Sequence, residues 1–272
     1  MTVLPCDSEP LLFVTTALRR TPELEAHAHA IASELGVPCV PRDDLGMSKL
    51  FETHPSAQKA IIVQADRLLL VQRTGEEIFF HPNMAFLRLG NLLRGGRDYL
   101  AESTQLKPGD SVLDATLGYA AEATICAHLV GDGGEVHGIE AVPELGLIVR
   151  EGLQTVVTDR ELLNAAMRRV KVVHLGHHLD FLRSCESDRY DVVCFDPFFG
   201  EMLEQSQAMV PLRVFGSQAP LLPEAIEEAR RVARRRVVIK SDRLTELDTD
   251  LGITARYGSR GGKVGYSAID TG

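Results

Sequence analysis

Apolar and polar positions alternate in two different textures, with the change near residue 81. Residues 11–18 are a short apolar run that reads as a strand. Thr21 and Pro22 then open a helix that Gly36 ends, since a hydroxyl cap, an early proline and a closing glycine are the usual helix punctuation. Residues 60–64, 67–72 and 78–81 are three further β-type runs, separated by Ala-Asp and Thr-Gly-Glu-Glu turns. Together these elements predict a small N-terminal α+β domain over residues 1–80.

From Pro82 the periods lengthen. Helical spacing runs over 84–93 and 97–104, interrupted by Gly95 and Gly96, and Lys107-Pro108-Gly109-Asp110 forms a turn. Strands and helices then alternate: strand 111–115, helix 119–130, strand 135–140, helices 143–157 and 161–169, and strands 171–175 and 190–195. A helix predicted over 223–235 carries Glu224, Glu227 and Glu228 early and arginines late, matching its dipole, and feeds a strand at 237–240. The strands read as continuous apolar runs, as strands covered on both faces do. Such alternation predicts a doubly wound α/β domain over residues 81–272. Residues 253–257 and 263–269 look like a closing antiparallel hairpin. The Gly-Ser-Arg-Gly-Gly-Lys stretch at 258–263 has a phosphate loop's composition, but no strand before it and no helix after it, so a hairpin turn is the better reading.

Composition narrows the partners. The net charge of −9 excludes a generally basic surface, so nucleic acid could be met only by a local patch. Residues 228–243 hold seven cations against Glu228 and Asp242. Either the arginines complement a helix C-terminus, or Arg230, Arg231, Arg234 and Arg235 contact phosphates. Five scattered cysteines without a Cys-x-x-Cys pair argue against a disulfide framework or structural zinc, so no metal is expected; Cys126 and Cys194 read as core thiols. With no apolar run of membrane-spanning length and no leader pattern, the expectation is a cytoplasmic protein without a membrane partner.

The candidate chemistry lies at strand ends. In an open parallel sheet, ligands sit across the carboxyl ends of the strands, where Asp114, Gly118, Glu140 and Asp196 fall. Gly118 lets a ligand approach the backbone, and the helix opening at 119–122 offers free amides to a carboxylate. Glu140 suits ribose hydroxyls, as the equivalent acid does in nicotinamide-binding folds. A pyrophosphate, however, needs Gly-x-Gly-x-x-Gly, and the stretch from Asp114 to Glu122 has one glycine and an acid at each end. Those acids would repel a pyrophosphate and suit the ammonium and ribose of S-adenosyl-L-methionine. Asp196-Pro197-Phe198-Phe199 supplies what an amine acceptor needs. A carboxylate and the Pro197 carbonyl would orient the amine hydrogens, and a phenylalanine ring would stack on a base. The alternative is that both rings are core and Pro197 merely ends a strand. His177 and His178 either line an adenine or occupy a surface loop without a role.

These residues resemble the class I S-adenosylmethionine-dependent methyltransferases over residues 81–245. Within that class, the resemblance is to the bacterial small-subunit ribosomal RNA guanine-N2 methyltransferases. It rests on residues 112–118, Ile139-Glu140, residues 196–199, residues 212–215 and residues 229–240. It implies a Rossmann-like seven-stranded sheet. It also implies S-adenosylmethionine contacts from Asp114, Ala115, Thr116, Gly118, Ala121, Glu122, Glu140, Ala141, Gly176, His177, His178 and Asp196. The implied acceptor is an RNA amine; the alternatives are a small-molecule or protein acceptor, or an S-adenosylmethionine-binding protein without catalysis. Ala120, Ala121 and Glu122 stand where that family has a second glycine and an Arg-Asp pair.

Overall fold

In the computed structural model, which describes residues 11–197, 210–241, 251–259 and 264–272, the chain divides between Phe80 and His81. The first unit holds β1 (Leu12–Thr16), α1 (Pro22–Leu35), α2 (Met47–Thr53), β2 (Lys59–Val63), β3 (Leu68–Gln72) and β4 (Glu77–Ile78). The strands lie in the order β1-β2-β3-β4, the first pair parallel and the others antiparallel. The helix punctuation reads as expected. Thr21 Oγ1 accepts from the Leu24 amide, and Gly36 takes the left-handed conformation that ends α1. The short helix α2 was not foreseen; it buries Leu50 and Phe51 against Phe13.

The second unit runs through α3 (Asn83–Leu93), α4 (Tyr99–Thr104), β5 (Ser111–Asp114), α5 (Ala121–Val130), β6 (Glu135–Glu140), α6 (Pro143–Thr155), α7 (Glu161–Arg169) and β7 (Val170–Leu175). It continues with α8 (His178–Ser184), β8 (Tyr190–Phe195), α9 (Val210–Phe215), α10 (Pro223–Val232), β9 (Ala233–Ser241), β10 (Ala255–Gly258) and β11 (Gly265–Asp270). Seven strands order as β10-β11-β9-β8-β5-β6-β7. Only β11 runs against its neighbours; the other pairings are parallel. The sheet is thus the doubly wound α/β type. Leu113, Ile139, Val193, Phe195, Val237 and Ile239 from its inner strands are fully or nearly fully buried.

The chain leaves β5 toward β6 and β7 on one side and returns to β8 and β9 on the other. The order therefore reverses between β5 and β8, and a crevice opens there at the carboxyl ends of the strands. One boundary departs from expectation. The helix predicted over 223–235 stops at Val232, and Arg234, Arg235 and Arg236 belong to β9. Arginine is a good helix former, but helix propensity is a small term that tertiary context overrides. Here pairing of β9 with β8 and β11, including Arg236 opposite Asp270, outweighs it. The hairpin at the C-terminus forms as β10 and β11, with residues 260–263 of its turn outside the described residues. Among the described residues no helix is long and apolar enough to cross a membrane.

Candidate active site

The loop after β5 is built by its own backbone. Ala115 N donates to the Cys194 carbonyl at 2.9 Å and Leu117 N to the Ile139 carbonyl at 2.8 Å, tying the loop to β8 and β6. Gly118 (φ 48°) and Ala120 (φ 57°) both take left-handed conformations, which turn the chain sharply into α5. Asp114 lies beneath this turn, 1% exposed. Its Oδ1 accepts from Thr116 N at 3.2 Å and its Oδ2 from Ala123 N at 3.1 Å. The carboxyl therefore takes a first-turn amide of α5, one residue beyond the 119–122 segment expected to face a ligand carboxylate. Burial, with the Glu122 charge adding to it, pushes the Asp114 carboxyl up to about 8.

Glu140 ends β6 and is held from both sides. Gly118 N donates to its Oε2 at 2.9 Å and Val142 N to its Oε1 at 3.1 Å. Each oxygen keeps a further lone pair, so the carboxylate is fixed in orientation and can still accept from a diol. Burial raises its pKa. Asp196 follows β8, and its own amide donates to Thr116 Oγ1 at 2.5 Å, which locks the start of the Asp-Pro segment to the first loop.

Around these ends lies a cavity of about 700 Å³. Ten of the twelve expected cofactor residues line it: Ala115, Thr116, Gly118, Ala121, Glu122, Glu140, Ala141, His177, His178 and Asp196. Asp114 stands behind the wall as described, and Gly176 is not among the lining residues; its amide donates to the Glu140 carbonyl at 2.8 Å. Pro197 also lines the cavity. Phe198 and Phe199 lie outside the described residues. The rings of His177 and His178 are 4.2 Å apart. Burial, then the neighbouring His177, lowers the His178 imidazole to about 4, so it is neutral near neutral pH.

A charged network inside this cavity was not anticipated from the sequence. Arg88 of α3 forms a two-point pair with Asp98, both contacts at 2.9 Å, and donates through Nη1 to Glu122 Oε1 at 2.9 Å. The same Glu122 oxygen accepts from Lys240 Nζ at 2.9 Å and from the Tyr266 hydroxyl at 3.2 Å. Lys240 Nζ also donates to Asp196 Oδ2 at 2.6 Å. Although burial works against its charge, Lys240 and Arg88 hold Glu122 down to about 2. Burial pushes Asp196 up to about 6, with Lys240 opposing and Glu122 adding. Arg88, Asp98, Lys240 and Tyr266 were all missed as site residues. The one available signal was Lys240, a cation closing the apolar run at 237–239 at a strand's carboxyl end.

The four arginines proposed for phosphate contacts sit elsewhere. Arg234 and Arg235 start β9, at the amino ends of the parallel strands, and pair with Asp191 and Asp110. Arg231 of α10 pairs with Glu228 and donates to the Leu182 and Cys185 carbonyls. Arg230 has the loosest pair, 3.6 Å from Glu227. A phosphate would have to compete with these carboxylates.

The cavity suits a cationic nucleoside better than a dinucleotide. Its volume is ordinary for a small-molecule site, its strand ends carry acids, and the only glycine of the first loop is Gly118. The comparisons with known proteins agree. The family model for SAM-dependent methyltransferases, SAM_MT, matches residues 47–254. The uncharacterized protein YpiP of Bacillus subtilis is 34% identical over 84% of this chain and 87% of its own length. A ribosomal RNA small subunit methyltransferase J of Magnetococcus marinus is 31% identical over 59% of this chain, which spans 65% of that relative. A crystal structure of a SAM-dependent methyltransferase from Neisseria gonorrhoeae shares the fold, with a TM-score of 0.62, 15% identity and 95% of each chain covered. With the family model spanning most of the chain, this protein belongs to the S-adenosylmethionine-dependent methyltransferases, and S-adenosylmethionine is its cofactor.

Proposed function

We propose that the chain methylates an exocyclic amine, specifically guanine N2, of ribosomal or other structured RNA. The observation that carries this reading is Asp196 followed by Pro197 on the cavity wall, at the switch point beside the first loop. An exocyclic amine is a weak nucleophile because its lone pair is delocalised into the ring. Two acceptors, the Asp196 carboxylate and the Pro197 carbonyl, would bind its hydrogens and direct that lone pair. Phe198 or Phe199 would stack on the base.

Bound S-adenosylmethionine supplies a methyl on a sulfonium sulfur: the amine lone pair forms the N–C bond, the C–S pair returns to sulfur, and one amine proton leaves to solvent. The chain's residues prepare that exchange. Glu140 would hold the ribose hydroxyls. The loop of Asp114, Ala115, Thr116 and Gly118, with Ala121 and Glu122, would hold the amino-acid end. Ala141, Gly176, His177 and His178 would enclose the adenine. The relatives named as ribosomal RNA methyltransferases support the RNA acceptor.

A second reading, a small-molecule or protein acceptor, is favoured by the net charge of −9 and by the ion pairs that occupy the candidate arginines. Labelled methyl transfer into fractions from cells lacking the protein separates the two. Label in RNA is expected, and label confined to protein or metabolite overturns the RNA acceptor. Asp196→Ala is expected to lower turnover about 10²–10³-fold, as loss of one oriented polar group does at other sites. Full turnover in that variant would remove Asp196 from the reaction.

A further inference from the structure

We infer that Lys240 is a positioning residue, which clamps one oxygen of Asp196 and so presents the other to the acceptor amine. The inference rests on the amine-orienting role proposed for Asp196. Lys240 reaches the cavity from the carboxyl end of β9, behind the buried residues Val237, Val238 and Ile239. Its Nζ spans 2.6 Å to Asp196 Oδ2 and 2.9 Å to Glu122 Oε1.

The question is which carboxylate needs the lysine. Glu122 has other donors, the Arg88 guanidinium and the Tyr266 hydroxyl. Arg88 is itself anchored on Asp98, the N-cap of α4. Among the described residues, Lys240 is the one cation hydrogen-bonded to Asp196. Asp98, Arg88, Glu122, Lys240 and Asp196 thus alternate in sign, with each cation between two anions. Removing Lys240 leaves Glu122 paired. It leaves Asp196 facing the negative charge of Glu122, with Arg88 acting on it only from a distance. Asp196 would then take up a proton, and a carboxylic acid cannot accept from the amine through the oxygen that carries it. Lys240 thereby secures both the direction and the charge of the acceptor group. A lysine serves because its ammonium can donate to two carboxylates at once.

The test is a carboxyl-carbon NMR titration of Asp196, assigned with Asp196→Asn, in the wild type, Lys240→Met and Lys240→Arg. An opposite charge at this range lowers an aspartate by about 1–3 pH units, so Lys240→Met is expected to raise the midpoint by that amount. Lys240→Arg should restore most of it. An unchanged midpoint in Lys240→Met overturns the inference. Should that variant fail to fold, Glu122→Gln decides: it removes the competing anion and frees Lys240 for Asp196. The midpoint should then fall, and no movement overturns the inference. On whichever fraction the wild type labels, Lys240→Met should lose about 10²-fold in kcat. Its affinity for S-adenosylmethionine should stay within about threefold, a difference below 1 kcal/mol. The acid limb of its kcat profile should move up with the NMR midpoint, whereas a merely structural lysine would leave that limb in place. If the wild type labels no RNA, the RNA acceptor falls while the titration still decides the lysine.

Discussion

Asp114 shows how a single carboxyl holds the first loop together. Its two oxygens take the Thr116 and Ala123 amides, and burial pushes its pKa from 3.8 up to about 8. Between those two values the folded chain holds a proton that the unfolded chain releases. Its stabilising share is therefore complete below 3.8, shrinks as pH rises, and is gone above about 8. Urea unfolding should show wild-type stability declining across this range. Asp114→Asn should flatten the decline, while the loss of one acceptor costs about 1–3 kcal/mol. Equal pH slopes for the two proteins would contradict the assignment. Ala120, two residues past Gly118, makes the complementary point. Its left-handed backbone is the conformation a glycine adopts without strain, at an expense to an L-residue of about 1–2 kcal/mol. The sequence shows alanine there and so concealed a turn that the surrounding hydrogen bonds impose.

At the scale of elements, the approach of α6 to β6 sets the cavity wall at Glu140, the proposed ribose contact. A Cβ added at Gly146 would lie 2.6 Å from Leu175 Cδ2, 2.8 Å from Glu140 Cβ and 3.2 Å from Glu140 Cγ. Gly146→Ala must therefore displace Glu140 or the helix, and overpacking of this kind costs about 1–3 kcal/mol. Calorimetry should find S-adenosylmethionine bound about tenfold more weakly, near 1.4 kcal/mol; unchanged affinity would mean that Glu140 does not set the wall. Most elements were legible from their rhythm. Strand Glu135–Glu140, helix Glu161–Arg169 and strand Tyr190–Phe195 fall where the apolar periods put them. The boundary between α10 and β9 was not, because residues 233–236 carry no helix-stopping residue. What turns them into strand is pairing with β8 and β11, partners distant in sequence.

Over the whole molecule, the α/β sheet separates two sets of ion pairs. At the amino ends of its strands, Arg234 and Arg235 pair with Asp191 and Asp110, and Asp191 also accepts from the Ser111 amide and hydroxyl. These contacts join β5, β8 and β9. At the carboxyl ends lies the cavity with its alternating network. Arg235→Ala should accordingly cost up to about 1 kcal/mol of stability, read by urea unfolding, and leave S-adenosylmethionine affinity unchanged. A loss of RNA affinity at wild-type stability would instead return Arg235 to the role of phosphate contact. The sequence by itself determined most of the strand and helix order, the acids at the strand ends and the absence of a pyrophosphate loop, since local periodicity and turn chemistry are written into neighbouring residues. Only the tertiary structure decided that Glu122 faces Arg88, Lys240 and Tyr266, that Lys240 reaches Asp196, and that the arginines of β9 lie at the opposite end. Those partners are brought together by strand order across the sheet, up to 144 residues apart, and no local pattern records such a distance.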